Sequence, residues 1–397
     1  MPSLNDLVNV AESLEKSPMA LLQESCVSVR NRNAACRLCI DVCPHECIAV
    51  DSNKLTLKPL NCVNCGLCAT VCPTEAIRPV KPTDIAAAHQ LASAWHAANG
   101  HAVVACARVA SKREADPTLF AEVPCLGYVH EALLLTSLST GAHQVTVVDG
   151  DCSTCKYGFV NDLVNHVVDT ANVLLAAQGA APSIVRTHAF PPEFLADDTT
   201  GMYGSSRRTF FSDTVKSARD IAVSAADTAL KQELGVSDET SIGDRLRVSE
   251  EGTLPQIAVP RHDALLNALF AIGEGVSDNV LPLALLSEAP ESATTDFAPS
   301  DLASLDTRLF ARIDIDSDHC IQCGMCAVFC PTQALRRPLG NSLEDRLEAL
   351  EFSASDCVQC GLCVDVCWKK CITLDSRASL DEVFDFEPRV LPLLPQR

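Results

Sequence analysis

No feature of this chain constrains its folding more than the eight cysteines between Asp318 and Cys367. Cys320, Cys323, Cys326 and Cys330 follow a Cys-x2-Cys-x2-Cys-x3-Cys spacing with Pro331 next, and after a spacer Cys357, Cys360, Cys363 and Cys367 repeat it. Three thiolates this close in sequence wrap one face of a cubane, and the fourth of each run reaches across to the other cube. The expected ligand sets are Cys320, Cys323, Cys326 and Cys367 for one 4Fe-4S cluster, and Cys357, Cys360, Cys363 and Cys330 for a second. Zinc asks for only four ligands, usually as two spaced pairs, and eight cysteines in this order fit it poorly.

Across this stretch the chain resembles bacterial-type dicluster ferredoxins. It departs from them at Trp368, which stands where the second run would carry proline, so the turn after Cys367 and the potential of its cluster are open. A second, less regular module lies near the start of the chain. Cys62, Cys65, Cys68 and Cys72-Pro73 keep the full spacing, whereas Cys36, Cys39 and Cys43-Pro44 lack their first member, with Asn33 in its place. Cys26 and Cys47 are the candidates to supply the missing thiolate. Cys371 lies four residues after Cys367 just as Cys47 follows Cys43, and the C-terminal module has its eight ligands without it. That position holds Ala76 and Ala334 in the regular runs and reads as a packing site, which favours Cys26. The expected sets are Cys26, Cys36, Cys39 and Cys72 for one cube, and Cys62, Cys65, Cys68 and Cys43 for the other.

Between the modules the pattern changes. His101–Cys106, Phe120–Pro124, Gln144–Val148 and Pro182–Arg186 read as strands, with helices over Val129–Leu138 and Phe159–Ala177; this alternation suggests a small parallel α/β layer. Cys106, Cys125, Cys152 and Cys155 all fall just past strand ends, and the carboxyl edge of an open parallel sheet is its binding crevice. Helices starting after Cys125 and Cys155 would turn their N-termini toward an anionic group there. A metal centre is the expectation; structural zinc, a buried thiol at Cys106 and a redox dithiol at Cys152 and Cys155 are its rivals. At Pro124-Cys125-Leu126-Gly127 and at Cys155-Lys156-Tyr157 this domain resembles the delta iron-sulfur subunit of methyl-viologen-reducing hydrogenases. Cys152 is displaced relative to that family's other cysteine, and Lys156 replaces a histidine. The resemblance implies a 2Fe-2S centre on Cys106, Cys125, Cys152 and Cys155, and electron delivery to a heterodisulfide reductase. The whole arrangement looks like multi-domain 4Fe-4S binding proteins of anaerobic bacteria.

The remaining segments carry less chemistry. Residues 1–25 read as an amphipathic helix with Leu4, Leu7, Val8, Leu14, Met19, Leu21 and Leu22 on one face. Residues 191–310 read as a helical or irregular connector, with helices from Ser212 to about Leu234 and over Ala264–Ile272, the latter burying Leu265, Leu266, Leu269 and Phe270. Ser206-Arg207-Arg208-Thr209-Phe210-Phe211 looks like a twin-arginine export motif, but it is internal and no apolar region follows it. The tail from Phe386 to Pro395, broken by prolines, cannot be regular helix; it is either a strap for a partner or a wrap over its own chain.

The fold class expected is α+β multidomain: two ferredoxin-like dicluster modules at 26–80 and 311–375, flanking a small parallel α/β domain at 100–190, with the helical connector at 191–310 and a tail at 376–397. Twenty-two cysteines in a chain of 397 residues, grouped in metal-type runs, suit a reducing compartment better than a disulfide scaffold. Met1–Ala20 has no basic region followed by an apolar run, and the expectation is a cytoplasmic protein with no direct membrane insertion. A formal charge of −20 argues against nucleic-acid binding. No dinucleotide, Walker, zinc-protease or c-haem motif occurs in the sequence. The function expected is relay of single electrons through four 4Fe-4S clusters and one 2Fe-2S centre, to a redox protein partner or within an anaerobic oxidoreductase complex. The alternatives are an enzyme that reduces a disulfide or small substrate with the middle cysteines, and a redox or iron sensor.

Overall fold

The computed structural model describes residues 17–196, 246, 253–278, 305–338 and 347–394. The arginine pair at 207–208, the helix expected from Ser212 and most of the N-terminal helix lie outside them.

In the first module the chain runs through β1 (Met19–Leu21), α1 (Val27–Arg30), α2 (Leu38–Asp41), β2 (Ile48–Asp51), β3 (Lys54–Leu57), α3 (Leu67–Thr70) and β4 (Ile77–Pro79). β2 and β3 form a hairpin, turning through Ser52 and Asn53 at φ of 50° and 58°, the left-handed pair that a two-residue loop needs. The described end of the expected N-terminal helix is instead a strand. Met19–Leu21 pairs antiparallel with Ile77–Pro79, and Leu22 N–H extends the pairing to Ala76 O at 2.8 Å. The unpaired edge of β4 offers those amides partners together with burial of Met19, so long-range pairing overrides the local helical spacing.

The middle domain follows through α4 (Asp84–Ala97), capped by Thr83 Oγ1, which accepts from Ala86 N–H. Then come β5 (His101–Cys106), α5 (Ala107–Ala110), β6 (Ala121–Val123), α6 (Glu131–Ser139), β7 (Gln144–Val148), α7 (Asn161–Ala177) and β8 (Ile184–Thr187). The four strands are parallel in the order β6-β5-β7-β8. Every residue of β5 is buried, as a central strand covered on both faces requires. α7 turns Val164, Val167, Val168, Ala171, Leu174 and Leu175 inward at helical spacing. The chain leaves β5 for β6 on one side and returns to β7 on the other, so the strand order reverses there and opens a crevice at the carboxyl edge.

Residues 253–259 run across the C-terminal module, with Leu254 N–H donating to Val328 O and Ile257 N–H to Pro331 O. α8 (Pro260–Asp278) packs on α6. It buries Leu265 and Leu269 as expected, but Phe270 is 47% exposed and meets the rings of Phe384 and Phe386. Arg261, just inside α8, forks onto Asp84 at 2.7 and 2.8 Å and donates to Ala69 O.

The C-terminal module comprises β9 (Leu305–Asp306), β10 (Arg312–Ile315), α9 (Met325–Phe329), β11 (Leu335–Arg336), β12 (Ala349–Phe352), α10 (Leu362–Val366), β13 (Ile372–Asp375), β14 (Arg377–Ala378), α11 (Leu380–Phe384) and β15 (Arg389–Pro392). β15 pairs antiparallel with β12, so the proline-rich tail wraps its own chain. One core runs from Met19 and Leu67 through the middle sheet to Leu265 and Phe310, and a second fills the C-terminal module. A small cluster of Val27, Leu362 and Val366 joins the two ferredoxin-type modules directly. Among the described residues, no helix is long and apolar enough to cross a membrane.

Candidate metal centres

Three of the four cysteine runs share one backbone device. Asn64, Gln322 and Gln359 precede the second cysteine of their runs at φ of 56°, 61° and 54°, and Gly66, Gly324 and Gly361 follow it at 86°, 67° and 75°. Repeated left-handed residues aim successive N–H groups into the loop, a concavity that suits an anion. The turn after each fourth cysteine also recurs. Glu46, Glu75, Gln333 and Lys370 all have positive φ, and their N–H groups donate to the carbonyls of Cys43, Cys72, Cys330 and Cys367. Trp368, 66% exposed in place of proline, therefore leaves the turn after Cys367 unaltered.

The position after that turn is occupied by Cys47, Ala76, Ala334 and Cys371, all buried. Ala76 N–H donates to Cys72 Sγ at 3.2 Å and Cys47 N–H to Cys43 Sγ at 3.5 Å. The site thus offers a backbone donor to the thiol four residues earlier and room for a small side chain. Cys371 adds its own thiol, 3.4 Å from Cys367 Sγ.

Within each module the thiols lie close enough for their charges to act on one another. Cys39 is pushed up to about 12 by burial and then by the charges of Cys72, Cys26 and Cys36. Cys65 is raised by burial, and among the charges acting on it are Cys62 and Cys43; Cys68 is raised by burial and by Cys65, Cys62, Cys39 and Cys43. In the C-terminal module, burial first and then Cys323, Cys320 and Cys367 push Cys326 up to about 12. Cys363 rises by burial and by Cys360, Cys357 and Cys330. Cys26 is thus brought beside Cys36, Cys39 and Cys72, while Cys47, pushed up to about 12 by burial, lies against Cys43, Cys62 and Cys65.

Burial and mutual repulsion thus disfavour the thiolate at Cys39, Cys65, Cys68, Cys326 and Cys363. A core of cations would reverse that balance, taking four thiolates and releasing protons, so the donor sets suit iron-sulfur cores. One pocket is lined by Cys43, Cys47, Cys62, Cys65 and Cys68, and another by Cys320, Cys323, Cys326, Cys367 and Cys371. Among the described residues, no group of three or more His, Cys, Asp or Glu is placed to hold a single metal ion. His319, beside Cys320, is exposed and bonds Asp316 Oδ2 at 2.7 Å.

At the carboxyl edge of the middle sheet Cys106, Cys125 and Cys152 are all buried. Burial pushes Cys125 up to about 12, with the charges of Cys65, Cys106 and Cys152 adding to it. Cys155 continues the same turn, its N–H on Cys152 O at 3.0 Å and its Sγ accepting from Tyr157 N–H at 3.4 Å. Arg108 fastens this turn through Asp151 O and Thr154 Oγ1. Beside it lies a charged group that the sequence analysis did not single out: Asp149, 1% exposed, 2.5 Å from Arg186 Nη2 and 2.7 Å from His188 Nδ1. Burial would raise Asp149, but His188, the Asp151 N–H and Arg186 more than offset it and hold the carboxyl below its ordinary range. Burial raises the Cys152 thiol and the Arg186 charge opposes it. A cation inside the otherwise apolar Ile184–Thr187 strand was the available signal.

Two contacts join the thiol sets across domains. At the first, the Cys65-Gly66 turn presses on the Cys125-Leu126-Gly127 turn: a Cβ on Gly127 would lie 2.3 Å from Cys65 O, and one on Gly66 2.5 Å from Tyr128 Cδ2. Thr70 Oγ1 donates to Gly127 O at 2.7 Å, and Tyr128 OH bonds Asn64 Oδ1. At the second, Cys36 and Cys360 pack around Val27, Leu362 and Val366, and Ala35 N–H donates to Asp365 Oδ2 at 2.7 Å.

Comparison with known families agrees with this division. Residues 34–76 and 319–371 match the 4Fe-4S dicluster domain, and residues 95–196 match the delta subunit of methyl-viologen-reducing hydrogenase. The first match begins after Cys26, whereas the second includes both complete runs. No curated protein and no solved structure matches the chain. The chain therefore carries two 4Fe-4S dicluster domains flanking a domain similar to a hydrogenase delta subunit.

Proposed function

We propose that this chain is an iron-sulfur electron relay serving an oxidoreductase complex in a reducing, cytoplasmic setting. The ligand sets are Cys26, Cys36, Cys39 and Cys72; Cys43, Cys62, Cys65 and Cys68; Cys330, Cys357, Cys360 and Cys363; and Cys320, Cys323, Cys326 and Cys367, each for a 4Fe-4S cluster. Cys106, Cys125, Cys152 and Cys155 take a fifth centre of the 2Fe-2S type.

The observation that carries this reading is the pair of contacts between thiol sets, Cys65 against Cys125 and Cys36 against Cys360. They support a path from the middle domain through the N-terminal sets to the C-terminal module, where Cys326 and Cys360 both pack against the apolar cluster that Cys36 joins. Each cluster passes one electron without bond chemistry, so the protein's part is to fix separations, exclude water and set potentials. A dithiol enzyme would need an accessible cysteine of low pKa, whereas Cys152 is 6% exposed and burial raises its thiol.

The test is anaerobic iron and sulfide quantitation with EPR of the reduced protein. About sixteen irons correspond to four cubes and about eighteen to an added 2Fe-2S centre. Colourless protein loaded with zinc and free of acid-labile sulfide refutes the reading.

A further inference from the structure

Arg30 is buried, with 5% of its surface exposed, yet it faces no carboxylate at hydrogen-bonding distance among its bonded partners. It closes α1, the helix that starts just after Cys26, and its own N–H donates to Cys26 O at 2.9 Å. Its Nη1 donates to Glu24 O at 3.0 Å and its Nη2 to Pro255 O at 2.9 Å, while the buried Nε finds no partner. Pro255 belongs to the stretch that lies along the Cys330 loop through Leu254 on Val328 O and Ile257 on Pro331 O.

The guanidinium therefore reaches out of the N-terminal module to the segment that lies along the Cys330 loop. Burial pulls its pKa down, and the charges opposing that loss are Cys330 and Cys360 first, with Glu24 after them. A buried cation is retained only where opposite charge compensates its lost hydration, and the neutral carbonyls of Glu24 and Pro255 do not supply it.

We propose that Arg30 is a positioning residue for the neighbouring module's cluster: it is the counter-charge of the core held by Cys330, Cys357, Cys360 and Cys363, and it raises that core's reduction potential. The inference rests on the relay reading above. A fixed positive charge favours the reduced core, which is one unit more negative than the oxidised core, and a dry site screens the interaction little. Because the charge comes from the other module, the Cys330 set has its working potential only when the two modules are docked.

The experiment is an EPR-monitored redox titration of the anaerobically purified full chain, with iron and sulfide counted in every sample. Arg30→Gln is expected to keep the wild-type iron content and to lower one 4Fe-4S component, cutting its reduced-to-oxidised ratio about tenfold at fixed ambient potential, a shift of about 59 mV for one electron. Arg30→Lys, which keeps the charge, should stay within about threefold of wild type, and Arg32→Gln, at an exposed position just past the same helix, should change nothing. Full iron content with every potential unmoved in Arg30→Gln overturns the proposal while leaving the relay intact. Should the glutamine variant fail to load, Arg30→Lys decides: a tenfold drop there means that geometry and not charge sets the potential, and overturns it equally. Wild-type protein without iron and sulfide refutes the relay itself, a result distinct from either.

Discussion

Gly127→Ala tests the junction between the middle centre and the N-terminal module. An alanine Cβ would lie 2.3 Å from the Cys65 carbonyl oxygen and 3.3 Å from Leu67 Cδ2. Ordinary contact begins at about 3.4 Å, so one backbone must retreat by about 1 Å, and neither turn can swing away as a flexible side chain would. Overpacking of this kind costs about 1–3 kcal/mol. The retreat also stretches the 2.7 Å bond from Thr70 Oγ1 to Gly127 O, worth about 1 kcal/mol. The sum, about 2–4 kcal/mol, corresponds to about 30- to 700-fold in the opening equilibrium of the interface. Native-state hydrogen exchange reads this directly, because the Ala69 N–H to Gly66 O and Tyr128 N–H to Cys125 O bonds lie on its two sides. Both should exchange faster in Gly127→Ala. Gly275, with nothing within 4 Å of an added Cβ and a helical position, is the control, where alanine is expected to be neutral or to stabilise by up to about 1 kcal/mol. Exchange in Gly127→Ala within threefold of wild type would refute the claim that the two turns are in backbone contact.

Other expectations concern ligands and pH. Cys26→Ser should lose one cube, about four irons, while Cys47→Ser and Cys371→Ser keep theirs; the reverse result for Cys26 and Cys47 would exchange their roles. His262, on α8, has an Nε2 2.6 Å from Ser355 O, and burial lowers its pKa while the Ser355 carbonyl, Asp263 and Asp356 oppose the shift. A histidine whose folded pKa is depressed contributes stability that is full above its unfolded value of about 6.5 and is lost as pH falls toward the folded value. Docking of α8 should therefore weaken from pH 7.5 to 5.5, by at most about 1.4 kcal/mol per pH unit for this proton. Exchange of α8 amides, corrected for intrinsic rates, checks it, and His262→Gln should flatten this contribution.

The cluster turns were legible because their information is local. Cysteine spacing, the glycine after the second cysteine and the small residue after the fourth all act within a few bonds of one another. The parallel middle sheet was legible for a similar reason: apolar runs bounded by turns place four cysteines at one edge whatever the rest of the chain does. At Trp368 the turn itself keeps its geometry, since the left-handed φ at Lys370, and not a proline ring, marks it.

What local pattern did not reveal was set by partners far away in sequence. Met19–Leu21 has helical spacing but becomes a strand because Ile77–Pro79 offers it an edge. Phe270 occupies a stripe position, yet it faces the rings of Phe384 and Phe386 across more than one hundred residues. The tail's choice between a partner and its own chain depended on whether β12 had a free side. Sequence alone thus determined how the cysteines fall into runs, because thiolate spacing and turn chemistry are short-range. Only the tertiary structure decided which turns meet across the modules and which arginine, Arg30 or Arg186, lies near which thiols, because charges and backbones from distant segments interact only once packing has expelled the water between them.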